Sequence, residues 1–201
     1  MEPSSVCQAH LDLINWQLFR KGNQEALSNL FLAHYDKLYA YGLRLNSDEE
    51  IIKDSIQELF LKLWRKRESL GEVREVTPYL FKSFRRCIID ALRDGPYRFQ
   101  LWRSDDEIRL EVSFSHEEFI ISEQINTEQR QRLTKALNQL TKRQREAIHL
   151  RYFDGFEPHQ IAQIMNLSDQ SVYNLLYRSM QSLRDNFFLL VLLWANQEQN
   201  F

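Results

Sequence analysis

The stretch EPHQIAQIMNLSDQSVYNLLYR, Glu157–Arg178, holds two short helical patterns separated by a break at Asn166–Ser168. In the first, Ile161, Ala162 and Met165 recur at helical spacing and face inward, and the small Ala162 permits close approach of a second helix. Asn166 occupies the turn, where a left-handed backbone is often required and Asn tolerates it. Ser168 is placed to cap the following helix, which packs through Val172, Leu175 or Leu176, and Leu183. This is the pattern of a helix-turn-helix. Its outer face offers Ser168, Asp169, Gln170, Ser171, Tyr173, Asn174, Tyr177 and Arg178, and only one of these is basic.

Outward from that stretch, the composition of the 201 residues favours an all-helical protein. Five Gly and four Pro give too little punctuation for a set of hairpins, and 43% hydrophobic residues are ample for a core. The net charge of -2 argues against a protein that holds DNA by bulk electrostatics, yet the charge is unevenly spread. Residues 1–94 balance at 14 basic to 14 acidic, residues 95–127 carry 3 against 7, and residues 128–201 carry 9 against 7. An acidic stretch between two more basic parts suggests two modules and a tether.

In the first module, helical spacing of Leu27, Leu30, Phe31, His34, Leu38, Tyr41 and Leu45, with a break at Gly22–Asn23, predicts two helices over 11–45. Ser47 or Asp48 can cap a third, whose buried stripe is Ile52, Ile56, Leu59, Phe60 and Leu63. ESLGEVREV, Glu68–Val76, reads as a loop, and Thr77–Pro78 as the start of a fourth helix with Pro at its first position. Leu80, Phe81, Phe84, Ile88 and Leu92 line one side of that helix, Lys82, Arg85, Arg86 and Arg93 the other, and Gly95–Pro96 ends it. Further helices are expected at about 127–140, 142–152, 158–165 and 169–186.

DEEIIKDSIQELFLKLW, Asp48–Trp64, followed by a loop and PYLFKSFRRCIIDALRD, Pro78–Asp94, resembles the first conserved domain of extracytoplasmic-function sigma factors. The matching pattern is D-x-x-Q-x-x-F-x-x-L-W at Asp54, Gln57, Phe60, Leu63 and Trp64, then D-x-L-R at Asp90, Leu92 and Arg93. The segment Leu140–Arg184 is similar to the second conserved domain of the same family. The resemblance implies an all-α, two-domain protein: 8–95 a region-two-like domain, 96–126 an acidic linker, 127–186 a region-four-like helix-turn-helix domain, and 187–201 an apolar extension.

It further implies a subunit that joins bacterial RNA polymerase core, through the β′ clamp helices and the β flap, and directs it to open promoter DNA. On that reading Asp54, Gln57, Glu58, Leu61 and Lys62 meet the clamp helices. Arg65, Lys66, Arg67, Lys82, Arg85 and Arg86 supply cations at the minus-ten element, and Tyr79 an aromatic for an unstacked base. Ser168, Gln170, Ser171, Tyr173, Asn174 and Arg178 meet the minus-thirty-five element. The chain departs from the family where Asn is common on the minus-ten helix, which is Arg86 here, and where Lys and Arg are common on the recognition helix, which are Tyr173 and Leu175. A reader so poor in charge suits a subunit that core polymerase delivers, because phosphate contacts made anywhere in the assembly contribute to its affinity.

Two other readings share these features: a stand-alone helix-turn-helix regulator, and a helical adapter that binds protein only. The first needs a sensor or dimerisation module, and the first module shows no such pattern. Enzymatic function is not expected, since no Gly-rich phosphate loop, metal-ligand spacing or nucleophile motif is present and the five His are scattered. Cys7 and His10 form one C-x-x-H pair with no second pair at a zinc-finger spacing, so neither a metal nor another cofactor is expected. Cys7 and Cys87, far apart and without a signal-peptide pattern, suggest reduced thiols in a cytoplasmic protein. FFLLVLLWA, Phe187–Ala195, is about half the length a membrane span needs, so no insertion is expected. It either folds back on the second module or docks a partner, an anti-sigma factor or a DNA-bound recruiting protein.

Overall fold

A computed structural model describes residues 5–94 and 135–183, which fall into two compact units. The expected linker at 96–126, most of the helix expected at 127–140, and the apolar extension 187–201 lie outside the described residues.

Among the described residues the first unit has four helices: α1 (Ser5–Arg20), α2 (Gln24–Leu45), α3 (Glu49–Lys66) and α4 (Val76–Asp94). Gly22, with φ of 91°, makes the tight turn between α1 and α2, and Asn23 caps α2 by accepting from Ala26 N. Asp48, one of the two candidate caps, accepts from Glu50 N and Ile51 N, so the acidic first turn of α3 sits on a capped helix start. The expected α3 stripe of Ile52, Ile56, Leu59, Phe60 and Leu63 is buried, and faces Leu80, Phe81, Phe84 and Ile88 of α4 and the α2 side chains Leu38, Tyr41 and Leu45 in one core. Helix α4 begins at Val76, two residues before Pro78. Val76 is itself buried, and Pro is tolerated through the first turn because those N–H groups have no intrahelical acceptor.

Two features set how tightly these helices close. Gly42 lies where α2 meets α3 and α4, and a Cβ there would stand 2.5 Å from Ile52 Cγ2 and 3.0 Å from Phe84 Cζ. On the other side, Asp12 of α1 is 2% exposed and its Oδ2 is 2.9 Å from His34 Nε2 of α2, itself 2% exposed. Gln8 and Thr77 also donate to the Asp12 carboxylate, at 2.8 and 3.5 Å, so one buried acid joins α1, α2 and α4. Burial acts to raise its pKa, but the hydrogen bond and charge of His34, with Gln8 and Thr77, outweigh burial and hold Asp12 below the ordinary 3.8. His34 Nδ1 is buried without a hydrogen-bond partner, so the ring is held through Nε2.

The C-terminal described part comprises helical residues 135–139 and the helices α5 (Lys142–Tyr152), α6 (Pro158–Met165) and α7 (Asp169–Leu183). Its core gathers Ala136, Leu137, Leu140, Ile148 and Leu183, flanked by Tyr152, Phe153, Leu176 and Met180. Helix ends here are held by local hydrogen bonds. Thr141 and Gln144 form a reciprocal capping box at the start of α5. The turn into α6 uses Gly155 at φ 72° and is tied by Arg151, which donates to Phe156 O at 3.1 Å and pairs with Glu157 at 2.9 Å. Asn166 adopts φ of 55°, and Leu167 N donates to Ala162 O at 2.9 Å, so α6 ends with the left-handed residue that the sequence leads one to expect. Ser168 Oγ then accepts from Ser171 N at 3.2 Å and caps α7.

Candidate binding surfaces

Helix α3 buries one face completely, and the opposite face is thereby fixed outward. Asp54, Gln57, Leu61 and Lys62 are exposed there and Glu58 is half-buried. Leu61, 48% exposed among polar neighbours, gives this face a small apolar centre. Lys62 Nζ lies 3.6 Å from Glu58 across one turn, an exposed pair whose contribution to stability is small, under about 1 kcal/mol. The five residues expected to act together therefore form one continuous strip. Behind it, Cys87 of α4 is buried, and burial pushes its thiol up against the opposing pull of Lys62, so it is a packing group rather than a reactive one.

A second surface runs from the end of α3 through the loop 68–75 to α4. Arg65, Lys66, Lys82 and Arg86 are exposed, whereas Arg85 is half-buried. Arg67 is engaged within the fold: it donates to Trp64 O at 2.9 Å and Glu68 Oε1 at 3.0 Å, and its guanidinium lies over the Trp64 ring at 4.6 Å. Tyr79 is half-buried and its ring packs at a steep angle against that of Trp16, centroids 5.0 Å apart, so the expected stacking aromatic already has a ring partner within the fold. Trp16 is almost fully buried, and its Nε1 donates to Gly71 O at 3.3 Å, which pins the loop to α1.

Beside that anchor opens a cleft of about 290 Å³ lined by Gln17, Arg20, Lys21, Arg67, Glu68 and Glu72. Sequence reasoning passed over Arg20 and Lys21. They read as the basic end of a helix, and what brings them to the loop is the fold of α1 against it.

The third surface is the outer face of α7. Val172, Ser179 and Leu183 are buried, which turns Gln170, Tyr173, Asn174, Tyr177, Arg178 and Gln181 outward. Tyr173 is 56% and Tyr177 64% exposed, unusual for side chains of this size. Gln170 Nε2 donates to Asn174 Oδ1 at 3.3 Å, and Gln181 Nε2 donates to the Tyr177 hydroxyl at 2.8 Å. The hydroxyls of Ser168 and Ser171 lie 2.8 Å apart at the start of the helix. Among the described residues no cluster of His, Cys, Asp or Glu could hold a metal ion, and no helix is long and apolar enough to cross a membrane.

Two segments of the chain match known family models. Residues 30–95 match the family model for sigma-70 region 2, and residues 130–183 that for sigma-70 region 4. The chain is 29% identical over 169 residues to the ECF RNA polymerase sigma factor SigL of Mycobacterium tuberculosis, covering 81% of this chain and 92% of the relative. It is 24% identical over 158 residues to the ECF RNA polymerase sigma factor SigM of Bacillus subtilis, covering 79% and 93%. Among solved structures it is similar in fold to CnrH in complex with the cytosolic domain of CnrY, with a TM-score of 0.59 at 19% identity over 88% of this chain and 97% of the other. It is likewise similar to the sigma factor RpoE in complex with the anti-sigma factor NepR from Bartonella quintana, with a TM-score of 0.56 at 23% identity over 79% and 94%.

Proposed function

The chain belongs to the sigma-70 family as a sigma factor of the extracytoplasmic-function type, and from that premise we propose how its surfaces divide the work of initiation. A sigma factor binds core RNA polymerase and directs it to promoters. Here residues 8–95 serve as the core-binding and minus-ten domain and 127–186 as the minus-thirty-five domain, joined by the acidic stretch 96–126. The chemistry of RNA synthesis belongs to the polymerase, and the work is cytoplasmic.

The observation that carries the reading is the α3 strip. One helix buries five apolar residues and turns Asp54, Gln57, Leu61 and Lys62 outward around one exposed leucine. That mixed face suits a helix-on-helix contact with the β′ clamp helices, where an apolar centre is desolvated within a polar rim. Arg65, Lys66, Lys82 and Arg86 then bear on the phosphates around the minus-ten element, and α7 enters the major groove upstream. Arg67 acts at the start of the loop, where it pairs with Glu68, and Tyr79 offers the part of its ring that Trp16 does not cover. Two solved structures of similar fold are complexes, one with the cytosolic domain of CnrY and one with the anti-sigma factor NepR, and a partner of the anti-sigma kind is expected for this chain too.

Co-elution of the purified protein with bacterial core RNA polymerase on a sizing column tests this. A stoichiometric complex is expected, weakened by Asp54→Lys or Glu58→Lys while the helical circular dichroism stays unchanged. Absence of a complex at low salt would overturn the reading in favour of a regulator or an adapter.

A further inference from the structure

The outer face of α7 carries a chemical bias that its low charge alone does not describe. Each base pair shows the major groove its own pattern: guanine offers two acceptors, N7 and O6, and adenine an acceptor and a donor, N7 and N6. A side-chain amide carries a donor and an acceptor side by side and so matches adenine, whereas guanine requires two donors, the gift of Arg or Lys. On the outer face of α7, behind the Ser168 and Ser171 hydroxyls and Asp169 at its start, stand the amides of Gln170 and Asn174, with Arg178 a further turn away.

The two amides are also held in place. The hydrogen bond from Gln170 Nε2 to Asn174 Oδ1, 3.3 Å, orients both and still leaves each with a free N–H and a free acceptor lone pair. They lie four residues apart, about 6 Å along the helix axis, comparable to the rise of two base pairs. Between and beyond them, Tyr173 and Tyr177 project large apolar edges, of the kind that meets the methyl group of thymine. The Tyr177 hydroxyl accepts from Gln181, which fixes where that ring stands. Asp169 adds a negative charge at the start of the same helix, opposed to close phosphate contact there.

We propose that α7 specifies adenine rather than guanine in the minus-thirty-five element, through the paired amides of Gln170 and Asn174, with Tyr173 and Tyr177 lying against thymine methyls. The inference rests on α7 being the upstream DNA reader and adds which bases it reads.

The test is selection of bound promoters by holoenzyme, reconstituted from the full chain and core polymerase, from a library randomised across the minus-thirty-five region. Adenine should be enriched at two positions no more than two base pairs apart, each by about tenfold or more. Asn174→Ala and Gln170→Ala should each flatten one of these positions, and Asn174→Arg should shift its position toward guanine. All three changes are on exposed residues, so circular dichroism should match the parent.

Enrichment of guanine that is lost in Arg178→Ala but kept in both amide variants would overturn the proposal while leaving α7 as a DNA reader. Enrichment that no α7 substitution alters would overturn both.

Discussion

The two units of this protein are held together by different means. The first closes around large side chains, Trp16, Phe19, Tyr41, Phe81 and Phe84, and places a buried acid, Asp12, at the junction of three helices. The second has a core of smaller groups and fixes its helix ends with short-range hydrogen bonds at Thr141, Asn166 and Ser168. Their outer faces differ in the same sense. The first unit exposes charge beside a pinned loop, and the recognition face of the second is close to neutral. One unit is organised from its interior and the other from its turns, so substitutions should separate them.

The largest effect is expected at Asp12. Replacement by Ala strands His34 in the interior and should cost the first unit about 3 kcal/mol, the usual scale for breaking a buried hydrogen-bonded pair. Urea unfolding followed by tryptophan fluorescence would read it, because Trp16 lies in that unit. The linkage has a definite sign. The Asp12 pKa is depressed in the fold, so its contribution is present above the ordinary value of 3.8 and is lost as pH falls below it. The acid limb of the stability profile should flatten in Asp12→Ala; an unchanged limb would mean that the network is not what holds α1.

Next in size is Gly42→Ala. In a helix this exchange ordinarily gains up to about 1 kcal/mol, but here the new methyl meets Ile52, a buried β-branched side chain with little room to turn. Overpacking costs about 1–3 kcal/mol, so a net loss of about 1–2 kcal/mol is expected in thermal unfolding. A gain would show that α2 and α3 can slide apart, and would weaken the contrast between a rigid unit and a locally fastened one.

The turn-based unit should answer to smaller changes. Asn166→Ala keeps the left-handed backbone without the residue that tolerates it and should cost about 1 kcal/mol, whereas Asn166→Gly should be close to neutral. The smallest effect is expected for Ser168→Ala, somewhat below about 1 kcal/mol because the cap is exposed. Differential scanning calorimetry would show whether these losses fall on the transition that Asp12→Ala leaves unmoved.

Much of this architecture was legible in the sequence wherever neighbours along the chain decide it. The α3 stripe, the Asp48 cap, the left-handed Asn166 and the Ser168 cap all depend on residues within one or two turns. The outward strip of α3 followed from the same periodicity. Features set by distant partners were not legible: Asp12 with His34 across 22 positions, Trp16 with Gly71 across 55, and the close approach at Gly42. Tyr79 shows what this does to a candidate site: it looks like a free group for DNA until the fold sets it against Trp16, whereas Arg67 is engaged by its sequence neighbours Trp64 and Glu68. The Thr141–Gln144 capping box is local in the same sense, set by residues three apart.

The bond from Trp16 to the loop is made to the carbonyl of Gly71, a group that every amino acid possesses, and a side chain added at Gly71 would meet nothing within 4 Å. The tether thus holds the path of the loop while staying indifferent to its spelling. Over evolutionary time, mutation can rewrite the side chains offered by residues 68–75 while the path they follow is inherited unchanged.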